Sequence, residues 1–210
     1  MKVLPECVAL LGDVVRSRES DRVRVHEATL AAMARVNQNC PALDPLRVTV
    51  GDEMQAVYAT LGQAVAACYQ LRDELFGVAE VRCGLGGGEI RIVDEARGIQ
   101  DGPAWWQARE AIEQAEALAQ RPGQRGTRTG LADARPVANP LASPALHLVD
   151  AQLAALSAGA RRTFIHLRAG RDNVEAARLE DISPSANSQR ITANGLRPLA
   201  AMLEALAALP

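Results

Sequence analysis

No cysteine in this sequence has the spacing of a metal-thiolate site. Cys7, Cys40, Cys68 and Cys83 stand singly in apolar or mixed segments, without a CxxC pair or a Cys/His partner. Lone cysteines in such settings read as buried, reduced thiols. A charge excess of either sign is also lacking: the formal net charge is -2. No global field therefore recruits nucleic acid or an anionic membrane, and any polyanion has to be held by a local patch. No apolar run approaches the ~20 residues that cross a bilayer. The opening Met1-Lys2-Val3-Leu4-Pro5-Glu6 departs from a signal peptide because a Pro and a Glu interrupt it. The expectation is a cytoplasmic protein with no membrane partner.

What is there suffices for a core. Of 210 residues, 48% are hydrophobic, enough for one sizeable core and a small second one. Cys7-Val8-Ala9-Leu10-Leu11-Gly12 reads as a buried strand. Ser20-Asp21 offers a helix start, and the apolar spacing from Val23 carries a helix to about Asn39. Leu46-Arg47-Val48-Thr49-Val50 alternates, Gly51-Asp52 turns, and Met54-Gln55-Ala56-Val57-Tyr58 continues extended, which makes a hairpin with acids at its tip. Residues 61–75 read as an amphipathic helix ended by Gly77. A strand at 81–85, an extended stretch at 89–93 and a helix at 105–119 follow. The order β-α-β-β-α-β is the ferredoxin-like arrangement. Residues 122–145 read as a linker, with one strand around 127–131, and residues 146–210 as an all-helical module. The first unit is residues 1–121, and the fold class is α/β (α+β).

Four segments could carry chemistry. In Leu11-Gly12-Asp13-Val14-Val15-Arg16-Ser17-Arg18, a carboxylate after an apolar strand suits a divalent ion, and the helix start beyond it suits phosphate, with Arg16, Ser17 and Arg18 as donors. The plain alternative is that Asp13 caps a turn and the arginines are solvated. In Val50-Gly51-Asp52-Glu53 the acids gain weight from topology, because the hairpin tip can stand beside the end of the first strand. Carboxylates facing one point repel unless a cation such as Mg²⁺ or Mn²⁺ neutralises them. Arg82-Cys83-Gly84-Leu85-Gly86-Gly87-Gly88-Glu89 offers glycines that let backbone approach a ligand, or that permit a sharp bulge. Asp101-Gly102-Pro103 opens a helix bearing Trp105, Trp106, Gln107 and Arg109; the tryptophans serve either core packing or base stacking.

These four segments in this order resemble the SatD family, over roughly residues 7–119, with Met54 standing where a Phe is expected. They are similar, more distantly, to class III nucleotide cyclases and GGDEF-type diguanylate cyclases. That resemblance implies a palm-like ferredoxin core with metal ligands at Asp13 and Asp52, Glu53 being the adjacent acid of the same candidate metal site. It matches the cyclase Arg-x-Gly-x-x-x-Gly stretch at Arg82, Gly84 and Gly88 and implies a transition-state arginine at Arg109. The helix start and the glycine turn themselves suggest a triphosphate held by Arg16, Ser17, Arg18, Gly86, Gly87 and Gly88. Two features depart from the pattern: a full GGDEF run is absent, and Trp105 falls where cyclases carry an Asn.

The end of the chain adds a second expectation. Helices at 161–167, 173–179 and 185–196, with a turn at Asp181-Ile182-Ser183-Pro184, have helix-turn-helix spacing. The last offers Ser185, Asn187, Gln189, Arg190 and Asn194 to duplex DNA without an acid among them. A packing or dimerisation role fits equally, since Leu199-Ala200-Ala201-Met202-Leu203-Glu204-Ala205-Leu206 could pair with a second copy in a homodimer. The leading expectation is a Mg²⁺- or Mn²⁺-dependent palm that binds a nucleoside triphosphate, joined to a helix-turn-helix-like module. The alternative is a non-catalytic regulator that binds DNA or a protein partner.

Overall fold

The computed structural model describes residues 2–16 and 21–210. Its elements run β1 (Lys2–Val14), α1 (Arg22–Asn39), β2 (Asp44–Val48), β3 (Met54–Tyr58), α2 (Leu61–Glu74), β4 (Val81–Asp94), β5 (Ile99–Asp101), α3 (Pro103–Ala119), β6 (Thr129–Asp133), α4 (Ala142–Ala155), α5 (Ala158–Arg168), α6 (Asn173–Leu179), α7 (Pro184–Ala193) and α8 (Leu196–Ala207).

One sheet, ordered β2-β3-β1-β4-β5, organises the molecule, with β6 also beside β4. Every pairing is antiparallel except β4 with β6. The first four strands and the helices α1 and α2 make the ferredoxin-like palm. Side chains alternate across a strand, so β1 serves two cores. Val8, Leu10 and Val14 join the larger cluster with residues of α1 and α2. Cys7, Ala9 and Leu11 join a smaller one with Ala104, Ala108 and Ile112 of α3. All four cysteines are buried and free.

Local chemistry sets the helix starts. Asp21 caps α1 by accepting from the Arg24 amide, and Thr60 caps α2 by accepting from that of Gln63. The β2–β3 hairpin turns over Thr49 to Glu53, where the Thr49 amide donates to the Glu53 carbonyl at 2.9 Å and Gly51 takes a φ of 65°. That turn ends β2 at Val48, two residues before the expected strand end.

The glycine run departs from expectation. β4 continues unbroken through Gly86, Gly87 and Gly88, each paired to β1. A Cβ at Gly86 would stand 2.1 Å from the Ala104 carbonyl oxygen, and one at Gly84 2.2 Å from that of Ala108. The glycines let the backbone of α3 lie directly on the sheet.

The expected linker is also part of the fold. Residues 129–133 form β6, parallel to β4, and α4 begins at Ala142. Helices α4 to α8 then close over the palm. Leu146, Val149, Phe164, Ile191, Leu196, Leu199, Leu203 and Leu206 belong to the same continuous core as Leu10, Tyr58 and Leu71. Asp150 of α4, fully buried, accepts from Tyr69 Oη at 3.0 Å and from the Arg128 and Thr129 amides at 2.7 Å. It is also paired with Arg72 at 2.5 Å. A buried carboxylate is tolerated when paired and hydrogen-bonded in this way, and this one ties α4 to α2 and β6. The free amides at the start of α2 find the carbonyls of Leu209 and Pro210, at 3.0 and 3.1 Å. The apolar stripe of α8 is used inside the molecule, which corrects its expected role in pairing with a second copy.

Candidate functional site at the end of the first strand

Asp13 lies where β1 runs out, on the face of the sheet that α3 covers. Its register partner on β4 is Arg82. Arg82 Nη2 donates to Asp13 Oδ2 at 2.8 Å, and Nη1 pairs with Glu116 of α3 at 3.0 Å. Asp13 Oδ1 is buried and has no hydrogen-bond partner. Carrying the β1–β3 register one step beyond Gly12↔Met54 sets Glu53 level with Asp13. Glu53 meets Arg109 of α3 in a two-pronged ion pair, with N–O distances of 3.2 and 3.4 Å. That pair is about half exposed on both sides, so it is weak and easily opened.

Asp52 takes the other side of the hairpin. It lines a cavity of about 540 Å³ with Val14, Val23, Val25 and His26, between the hairpin and α1. The structure thus sets Glu53, not Asp52, on the α3 side of the hairpin, while Asp52 and the residue after Asp13 share one wall. Among the described residues, no group of three or more His, Cys, Asp or Glu side chains could hold a metal ion. The bare Oδ1 of Asp13 nevertheless suits a hard divalent cation. Mg²⁺ typically takes one or two carboxylates and completes its shell with water and substrate phosphates.

The remaining expected residues divide sharply. Arg16 is exposed with φ 56° and has no acidic partner among the described residues. It lines a groove of about 900 Å³ with Arg82, Arg125, Arg128, Glu80 and Glu116. Ser17 and Arg18 lie outside the described residues. Gly86, Gly87 and Gly88 cannot cradle a phosphate as a turn, because they sit mid-strand against other parts of the chain. A Cβ at Gly87 would lie 1.9 Å from Asp133 Oδ1, and one at Gly88 3.1 Å from the Ala104 amide nitrogen. Trp105 packs against the smaller core. Trp106 is exposed and donates from Nε1 to Asp101 at 3.1 Å.

The residues expected on DNA are not one surface. Asn187 is fully buried, donating to Asn173 Oδ1 at 3.0 Å and accepting from Thr163 Oγ1 at 2.9 Å. Arg190 bonds to the Gly159 carbonyl at 3.1 Å and to Thr163 Oγ1 at 3.2 Å. Asn194 ends α7, with its side chain on the Arg190 carbonyl. Only Ser185 and Gln189 of the five stay exposed. Asn187 is buried, and the partly exposed Arg190 and Asn194 spend polar groups on bonds within the bundle, using the polarity that suggested a groove-facing helix. No helix among the described residues is long and apolar enough to cross a membrane.

Sequence reasoning missed Arg82 as the partner of Asp13 and Glu116 beyond it. The signal for Arg82 is the register of two strands distant in the chain, which no local pattern carries.

Among solved structures, the chain is similar to the catalytic core of a rhodopsin-guanylyl cyclase with converted specificity in complex with ATPαS. The identity is 14% and the TM-score 0.44, covering 53% of this chain and 73% of that one. It is similar to a bacterial light-regulated adenylyl cyclase at 12% identity and a TM-score of 0.46, covering 62% and 77%. A regulator of polyketide synthase expression from Bifidobacterium adolescentis covers 99% of this chain and 81% of its own, at 13% identity and a TM-score of 0.34. No curated protein matches the chain. The SatD family model matches residues 7–200, from the buried half of β1 into α8, and the chain belongs to the SatD family.

Proposed function

We propose that the end of β1 and the β2–β3 hairpin form a nucleoside-triphosphate site that works through Mg²⁺ or Mn²⁺. The observation that carries this reading is Asp13 Oδ1, a buried carboxylate oxygen without a hydrogen-bond partner beside a hairpin bearing two more acids. An unsatisfied buried acceptor is costly, and a cation removes that cost. Asp13 would hold the ion, with Glu53, on the same side of the hairpin, completing the protein's share. When bound, the ion would neutralise phosphate oxygens and so favour nucleotidyl transfer or cyclisation. Arg16 lines the adjoining groove, where it would meet a phosphate. Arg109, released from its exposed pair with Glu53, would stabilise charge that develops during reaction.

A second reading rests on a separate observation. Arg82 already pairs with one oxygen of Asp13, and Arg109 with Glu53. A palm with its acids paired this way suits a nucleotide-responsive regulator without turnover.

Calorimetric titration with MnATP and MnGTP tests the site. Asp13→Asn is expected to weaken binding by about tenfold or more, the usual consequence of losing a charged contact. A folded protein that binds neither nucleotide at millimolar concentration would end the proposal. Chromatography of the incubated nucleotide separates the two readings. If product forms, Arg109→Ala should lower kcat more than it weakens binding; binding without product selects the regulator.

A further inference from the structure

A second cavity, of about 630 Å³, lies where the palm meets the helices that follow it. Its walls come from the last turn of α2 (Arg72) and the loop after it (Phe76, Glu80), the loop before β6 (Arg125, Arg128), the α4–α5 loop (Leu156) and α5 (Arg161). Four guanidinium groups therefore line it against one carboxylate. Arg72 is matched by Asp150 and Arg128 by Glu80. Arg161 and Arg168, however, share the single carboxylate of Asp73, and Arg125 has no acidic partner among the described residues. Counting Arg168, which shares Asp73 with Arg161 but does not line the cavity, this cluster holds two more positive than negative charges.

Arg161 holds the sharper sign. Its side chain is 7% exposed and pairs through Nη2 with Asp73 at 2.7 Å, yet its Nη1 is buried with no hydrogen-bond partner. Burial lowers its pKa below the ordinary arginine value, Asp73 offsets part of this, and Arg72 and Arg168 lower it further. This guanidinium shares its one carboxylate with Arg168, lies over the rings of Phe76 and Phe164 at 5.8 and 5.6 Å, and keeps one nitrogen without an acceptor. Arginine's planar fork matches phosphate oxygens in pairs.

We infer that this cavity is a binding site for a small phosphate monoester, held by Arg161 and Arg125 and packed against Phe76 and Leu156. A monoester dianion supplies the two negative charges that this arginine cluster, Arg168 included, lacks. The apolar walls take an organic body, so inorganic phosphate alone uses only part of the site. Glu80, Arg125 and Arg128 also line the groove beside Asp13. Occupancy here is thus adjacent to the nucleotide site without depending on it.

Phenyl phosphate, a monoester with an apolar body, is the probe, titrated calorimetrically at constant ionic strength with sodium chloride as the reference salt. The wild-type protein is expected to bind it saturably. Arg161→Gln should weaken binding by about tenfold, as loss of a charge-assisted bond implies, and Arg125→Ala by about threefold. Asp13→Asn should leave it unchanged, which separates this site from the metal site. If Arg161→Gln does not fold, as circular dichroism would show, the exposed Arg125→Ala decides alone. The proposal fails if binding is not saturable at tens of millimolar, if the arginine variants that fold bind as tightly as the wild type, or if Asp13→Asn abolishes binding.

Discussion

Arg82 touches one oxygen of Asp13 and leaves the other bare, and much of the site's chemistry turns on that asymmetry. Elsewhere, Cys7, Cys40 and Tyr58 are buried groups whose charged forms the core disfavours. Burial pushes the Cys7 thiol up to about 11, with Arg135 offsetting part of the effect, and burial raises Cys40 as well. Tyr58 is raised by burial and then by the neighbouring cysteines. The folded state keeps these protons above the pH at which the unfolded chain gives them up. Stability is therefore complete below the unfolded thiol value of about 9 and falls as pH rises through about 11. Urea titrations at successive pH values should show this decline, and Cys7→Ala should flatten it by about 1–3 kcal/mol at the alkaline end. Stability unchanged between those pH values would contradict the burial. Of the residues at the site, Asp13 was legible because an acid closing an apolar strand is a local signal. Its pairing with Arg82, 69 positions away, depends on strand register and was not.

At the scale of an element, β4 teaches the most. A glycine run reads equally as a turn or as a close approach of backbone, and the sequence alone leaves both open. What decides is α3, whose inward face is Ala104, Ala108 and Ala111. Small residues on the helix meet missing side chains on the strand. Gly86→Ala should therefore cost about 1–3 kcal/mol through overpacking, measured as a fall in the denaturation midpoint. An unchanged midpoint would mean that α3 can lift off the sheet cheaply. α7 gives the opposite lesson. Its acid-free polar run, read as a surface for DNA, spends Asn187 and Arg190 on Thr163, Asn173 and Gly159 within the bundle. The helices themselves were legible where their breaks are local: Ser20-Asp21 marks the start of α1, which Asp21 caps, and the turn at Asp181-Ile182-Ser183-Pro184 precedes α7, which Ser183 caps.

Over the whole molecule, the palm and the helices after it share one core, which composition could not reveal because both halves are apolar on their inward faces. The expected boundary near residue 146 is crossed by Asp150, Leu146 and the stripe of α8. A chain of residues 1–141 keeps every strand but loses the helices that cover α2. It should show no cooperative thermal transition and should bind a hydrophobic dye. Two-state unfolding of that fragment would make the palm a unit on its own. The packing of α8 on α2 also bears on how the protein is made. α8 packs so closely there that a Cβ on Gly62 would lie 2.1 Å from the Ala207 carbonyl oxygen. A ribosome delivers the chain from its first residue at about 5–20 residues per second, so every strand emerges well before that helix. During that interval the nascent palm has an uncovered apolar flank. That flank closes only when residues 196–207 dock on α2.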